Sequence, residues 1–407
     1  SGPAWTYNEA TDDYYLHCFD SSQPDLNWRN PKLRAEMYDA VRFWMDKGVD
    51  GWRVDVICLI NKNPVVYDEY LPDGGLPWVI DDQLHVYIKE LCSAMREKPG
   101  AVVLGEVGDS ADNLWKYTAP ERGELTAAIL FDIMYADYDL TKGIEKFAIT
   151  GFDMDKVKAG LERWNGRPEN VVATHISSHD QPRIVSRWGN DKDENLRVKS
   201  AKMLGVFNNM LRGLPIVYQG EEIGMTNWDF TLEQVDDISI KNAYEKYVVE
   251  EKLFTQERFM ELVHYFSRDN ARTPMQWDSS AYAGFSNVRP WMPSNPNSTH
   301  INYEAAQADP DSVYHFYKSL IMQRKSEELI ASGDYKLAIA GSDRVLGYLR
   351  SKHGECLLIV CNFSNSMEYI DLEAVSFDFD QMFECLVQNY DFVQIEDGKL
   401  ALRPYEA

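Results

Sequence analysis

Gly51-Trp52-Arg53-Val54-Asp55-Val56-Ile57 is a short, β-branched run that carries an arginine and an aspartate two positions apart. In a strand, residues i and i+2 point to the same face, so Arg53 and Asp55 are expected side by side. Upstream, Asn30-Pro31 reads as an N-cap with proline at the first helical position. Leu33, Met37, Val41 and Trp44 then recur at helical spacing, and Gly48 ends the pattern. Downstream, a second helix pattern around Leu84 to Met95 precedes Pro99-Gly100 and an apolar segment, Ala101 to Gly105, that runs into Glu106. Three more strand patterns follow at Leu125 to Asp132, Val171 to Ser177 and Gly213 to Gln219, with a helix from about Leu196 to Leu211 before the last. This alternation predicts an α/β fold with a parallel sheet whose strand ends share one mouth.

Carboxylates stand at that mouth. Asp55, Glu106 and Asp180 each follow an apolar strand pattern, the last after Val171 to His179. An acid at the C-terminal end of an apolar strand is costly to place unless chemistry needs it. Singly, each reads equally well as a helix-capping acid; three on successive strand ends form a constellation. Cleaving a glycosidic bond needs one ionised carboxylate at the anomeric carbon, one protonated carboxyl at the leaving oxygen, and negative potential for an oxocarbenium-like transition state. Asp55 beside Arg53 is expected to stay ionised, as a nucleophile must. Glu106 lies between Val103-Leu104 and Val107 with no cation close in sequence, so desolvation is expected to raise its pKa and suit it to acid work. Asp180, next to His179, suits a third group that binds sugar hydroxyls and stabilises developing charge.

Composition limits the alternatives. A net charge of −24 disfavours nucleic acid, anionic membranes and polyphosphate as partners and suits a neutral substrate. No apolar run reaches membrane-span length. Six cysteines without CxxC spacing read as reduced thiols of a cytoplasmic protein. Trp228 to Tyr265 is charged and helical, and a helix pattern covers about Asp311 to Lys325. Beyond Ser332, short alternating strands such as Val345 to Arg350 and Glu355 to Cys361 predict a small antiparallel β-sandwich domain. His175 and His179 have HxxxH spacing but no helical glutamate between them, and no metal site is expected in this chain. Asp191 to Asn195 resembles the start of a calcium loop without its later ligands and reads as a solvated loop. Trp277, Phe285 and Trp291 are aromatic enough to stack on sugar rings, although packing under a long loop explains each one.

Six segments together resemble the oligo-1,6-glucosidase group of the α-amylase family of glycoside hydrolases. They are QPDLNWRNP (23–31), GVDGWRVDVI (48–57), LGEVG (104–108), SSHDQPRIVSRWG (177–189), VYQGEEIGMTN (217–227) and RDNARTPMQWD (268–278). The resemblance implies a catalytic (β/α)8 barrel and retention of anomeric configuration. It implies Asp55 as nucleophile, Glu106 as acid/base and Asp180 as transition-state stabiliser. Arg53 and His179 match residues that contact the bound glucose, and Arg272 matches an arginine that holds the non-reducing glucose. Val56 matches the position that the family ties to α-1,6 preference. The expected substrate is a short oligosaccharide; trehalose-6-phosphate hydrolase, sucrose isomerase and maltase-type α-1,4-glucosidase are the rivals within the class. For phosphate recognition, no basic cluster near the pocket is evident in the sequence.

The family's first block, Asp-x-x-x-Asn-His at the end of barrel strand 3, has no counterpart here. Residues 1–25 then correspond to the tail of the domain inserted after that strand, 26–331 to barrel strands 4 to 8 with their long final loops, and 332–407 to the C-terminal β domain. The expectation is about five of eight β/α units, with the N-terminal segment, which in many relatives carries a calcium loop, as a partner and self-association as the alternative. An inactive fragment is the rival from another class. So is a non-catalytic barrel relative, which has no need of the full acid trio. Ser178 stands where relatives often have asparagine.

Overall fold

The computed structural model describes residues 4–63, 78–375 and 384–407. Two compact units emerge, residues 1–130 with 166–173, and residues 131–165 with 174–407.

In the first unit, strands β1 (Trp5–Asn8) and β2 (Asp13–Leu16) form an antiparallel hairpin. The expected helix runs over Pro31–Asp46, with Asn30 accepting a hydrogen bond from the Lys32 amide. Gly48 leaves it at φ +104°, a backbone angle that a side chain would strain. Helix Asp82–Met95 is capped by Asp81 and buries Leu84, Ile88, Leu91 and Met95, one face at helical spacing. Arg34 and Tyr38 of the first helix meet Glu90 of the second at 2.9 and 2.7 Å. Strands β3 (Gly51–Val54), β4 (Val102–Glu106) and β5 (Ala127–Ile129) are parallel, in that order. Gly51 permits the close approach of β3 to β4, since a Cβ there would lie 2.7 Å from the Val102 carbonyl oxygen.

The Val171 to Ser177 pattern differs from the expected strand. Val172 forms a single parallel bridge with Ala128, bracketed by Ala128 N to Val171 O at 3.0 Å and Ala173 N to Ala128 O at 2.8 Å. In the second unit, the Gly213 to Gln219 pattern likewise has no ladder. Ile216 donates to Thr174 O at 2.8 Å, and the Ile216 carbonyl is taken by the Asn208 side chain at 3.0 Å. A side-chain donor thus satisfies a group that a further rung would use. Helix Glu194–Met210 packs on helix Val313–Ser326, with Gly205 facing the Tyr317 ring. At the C-terminus, β6 (Asp334–Ile339), β7 (Val345–Lys352) and β8 (Glu355–Asn362) form one antiparallel sheet. A second antiparallel sheet contains β9 (Glu368–Asp371), β10 (Gln394–Glu396) and β11 (Lys399–Leu402), in the order β10-β11-β9. Among the described residues, no helix is long and apolar enough to cross a membrane.

Candidate active site

The parallel register pairs Arg53 with Leu104 and Val54 with Gly105, so Asp55 and Glu106 leave their strands at the same level. The Arg53 guanidinium joins them, one terminal nitrogen on Asp55 Oδ1 and the other on Glu106 Oε2. The sequence predicted the first contact; the second crosses from β3 to β4 and required the fold. The Asp55 side chain is 69% exposed and that of Glu106 only 15%. Burial is the main cause that raises the pKa of Glu106, with a hydrogen bond to the Asp55 carboxyl adding to it and the Arg53 cation opposing. The Val56 amide also donates to Glu106. Val56 reaches that position at φ +37°, ψ 45°, in the left-handed region, which is rare for a β-branched residue.

Asp180, in the second unit, lies among cations. Its Oδ1 accepts from Arg272 Nη2 at 2.9 Å and Arg268 Nη1 at 3.1 Å, and its Oδ2 lies 3.0 Å from His179 Nε2. Arg272 Nε also binds the His179 carbonyl at 2.9 Å. Ser178, the departure from asparagine, accepts from the Asp180 amide at 3.1 Å and so fixes the turn. His175 is buried with its ring edge-on to Phe131, whereas His179 is exposed. Asp193 of the calcium-like segment caps helix Glu194–Met210 through the Leu196 amide. Among the described residues, no group of three or more His, Cys, Asp or Glu side chains is placed to hold a metal ion.

The sequence model of the alpha amylase catalytic domain matches residues 1–333. The chain belongs to the alpha-amylase family. The model of the alpha-amylase SusG C-terminal domain matches residues 345–407. The chain is 40% identical over 417 residues to the oligo-1,6-glucosidase of Heyndrickxia coagulans, spanning 100% of this chain and 73% of that protein. It is 35% identical over 413 residues to the trehalose-6-phosphate hydrolase of Bacillus subtilis (strain 168), spanning 100% of this chain and 72% of that protein. Among solved structures, it is similar to the trehalose-6-phosphate hydrolase of Bacillus licheniformis, with a TM-score of 0.90 and 33% identity over 100% of this chain and 73% of the other. As an alpha-amylase family enzyme, the chain is a glycosidase. Its strands β3, β4 and β5 and the Val172 bridge belong to the family's barrel, followed by antiparallel sheets, as the sequence predicted.

Three residues of the cluster around Asp180 carry no motif signal that singled them out in the sequence. Arg268 lies four positions before Arg272, the spacing of neighbours on a helix turn, which was its available signal. Asp237 forks Arg268 at 2.6 and 2.8 Å, yet sits in a charged helical stretch that reads as a solvated face. Lys146 lies 3.5 Å from the Asp180 carbonyl, and burial pushes its pKa down. The fold therefore gathers Lys146, His179, Arg268 and Arg272 into the basic cluster that the sequence did not reveal. A cleft of about 770 Å³, lined by Ser186, Asp191, Trp228, His264 and Tyr265 among others, includes none of the site residues predicted from sequence.

Proposed function

We propose that the chain hydrolyses terminal α-glucosyl linkages of short oligosaccharides by double displacement, with α-1,6 preference. The observation that carries this reading is the Arg53 fork on two carboxyls of unequal exposure. Asp55, the exposed partner, attacks the anomeric carbon. Glu106, the buried partner whose pKa is raised, protonates the departing glycosidic oxygen. Loss of that proton leaves Glu106 as the base that deprotonates water, which then cleaves the glycosyl–Asp55 ester. Two inversions give net retention. One guanidinium bridges the two carboxyls, and so close a pair suits the retaining arrangement, with its spacing of about 5–5.5 Å, and not the wider inverting one.

Asp180 supplies negative potential for the oxocarbenium-like state, His179 and Arg272 hold glucose hydroxyls, and Val56 shapes the wall beside the leaving sugar. The reaction draws on carboxylates alone and calls for no cofactor. Six free thiols suit a reducing compartment, and we place the protein in the cytoplasm.

The relative named oligo-1,6-glucosidase supports this substrate class. Trehalose 6-phosphate is the second reading, supported by the named structural relative and by the cations around Asp180. It is less favoured because Arg268 and Arg272 already face carboxylates and are not uncompensated charges waiting for phosphate. Isomaltose hydrolysis followed by NMR should release α-glucose first, and Asp55→Asn and Glu106→Gln should each lower turnover by several orders of magnitude. β-Glucose as the first product defeats the retaining assignment, and faster turnover of trehalose 6-phosphate than of isomaltose defeats the substrate assignment.

A further inference from the structure

We infer that Asp237 is a positioning residue for Asp180, acting through Arg268. The inference rests on the reading of Asp180 as transition-state stabiliser and adds the device that holds its cation in place.

Asp237 is 5% exposed. Its Oδ2 accepts from Arg268 Nε at 2.6 Å and its Oδ1 from Arg268 Nη2 at 2.8 Å. A guanidinium is planar, so fixing two of its nitrogens fixes the third. That third nitrogen, Nη1, meets Asp180 Oδ1 at 3.1 Å. Burial pushes Asp237 up, but the Arg268 fork and the Ser239 donors outweigh it and keep its carboxyl below the usual range.

The backbone at Asp237 is held as well. The amides of Asp236 and Asp237 both donate to Asp269 Oδ2, at 2.9 and 3.1 Å. Asp269 is the residue after Arg268 and is 3% exposed. Two successive residues thus clip one segment: Asp269 takes its amides and Arg268 its carboxylate. Asp237 also caps helix Ile238–Tyr244 through the Ser239 amide at 2.9 Å, which ties the carboxylate to a regular element. The Arg268 and Asp180 side chains are themselves 32% and 35% exposed. Without the fork, a long side chain in contact with solvent would sample many rotamers, and the charge facing Asp180 would no longer be preorganised.

The test compares Asp237→Asn, Arg268→Lys and the double variant in the full chain. Asparagine keeps an acceptor for Ser239 but turns an N–H donor toward Arg268. Turnover of an α-glucoside by Asp237→Asn should fall on the order of 100-fold, chiefly in kcat with KM little changed. The double variant should be no slower than the slower single one. Asp237→Glu, which restores the charge with a longer arm, should recover part of the loss. Unchanged kcat in a folded Asp237→Asn enzyme, or losses that multiply in the double variant, would show that Asp237 is only structural. A crystal structure of Asp237→Asn decides the point without activity. Arg268 is expected to swing off Asp180, and an intact Arg268–Asp180 contact overturns the inference. If the unmodified chain cleaves no α-glucoside, the glucosidase reading fails, and this structural comparison alone judges the positioning role.

Discussion

Val56 combines a β-branched side chain with a left-handed backbone, two properties that rarely coincide. Such a conformation costs about 1–3 kcal/mol and persists only where surrounding contacts over-determine it. Here it turns the Val56 amide onto Glu106 and sets the side chain next to the proposed nucleophile. A methyl-to-hydroxyl change at this wall is worth about 1–3 kcal/mol, which gives preference and not exclusion. Val56→Thr should raise maltose hydrolysis relative to isomaltose; an unchanged ratio of kcat/KM values removes Val56 from linkage selection. Glu106 must be protonated to act as acid, so activity should be lost as pH rises through its raised pKa. Arg53 opposes that rise. Arg53→Gln should therefore lower the rate and also move the alkaline limb of kcat/KM to higher pH; a shift to lower pH contradicts the assigned electrostatics. Spacing made Arg53, Asp55 and Glu106 legible in the sequence. The contact between Arg53 and Glu106 was not, because it depends on the register of β3 against β4.

At the element scale, the short turn Glu221–Ile223 carries a buried carboxyl that the sequence left unremarked inside the VYQGEEIGMTN motif. Tyr317, from helix Val313–Ser326, donates its hydroxyl to Glu221 Oε1 at 2.8 Å. Burial pushes the Glu221 carboxyl up from 4.5 to about 7. With a folded pKa above the unfolded one, its stability contribution is complete below pH 4.5 and lost as pH rises through about 7. Glu221→Gln keeps an acceptor for Tyr317 and removes the charge. Its melting temperature relative to the unmodified chain should therefore climb between pH 5 and pH 8, by an amount equivalent to at most about 3 kcal/mol. A difference independent of pH would mean that Glu221 does not titrate in this range. Helix boundaries such as Pro31–Asp46 and Glu194–Met210 were close to their sequence patterns, because caps and apolar spacing are local. The strands expected at Val171 to Ser177 and Gly213 to Gln219 shrank to isolated backbone contacts, because a ladder depends on a partner that no local pattern encodes.

For the whole molecule, a net charge of −24 implies mutual repulsion among carboxylates that favours expansion. The Debye length falls from about 30 Å at 0.01 M salt to about 8 Å at 0.15 M, which screens most of that repulsion. The melting temperature should rise over this range, while kcat/KM for a neutral disaccharide should stay nearly constant. A steep salt dependence of kcat/KM would point instead to a charged substrate such as a sugar phosphate. The C-terminal sheets share the second compact unit with the helices that precede them. Arg350 of β7 is fully buried and donates to the carbonyls of Met210, Ile330 and Gly333 at 2.7, 2.9 and 2.7 Å. These carbonyls take up Nη1 and Nη2, whereas Nε is buried with no hydrogen-bond partner among the described residues, and through the two terminal nitrogens this one residue binds the sheet to the ends of two helices and the strand entry.

The sequence by itself determined the family, the alternation of strands and helices, and the order Asp55, Glu106, Asp180 with Arg53, His179 and Arg272 beside them. These depend on residue type and short spacing, which a linear chain displays directly. Only the tertiary structure decided that Arg53 spans two strands, that Val56 occupies a left-handed conformation, and that Lys146, Asp237 and Arg268 gather around Asp180. Asp237 and Arg268 are 31 residues apart, and Lys146 and Asp180 are separated by 34. Charges so distant along the chain acquire their partners through packing, and no local periodicity records which acid a given base will meet.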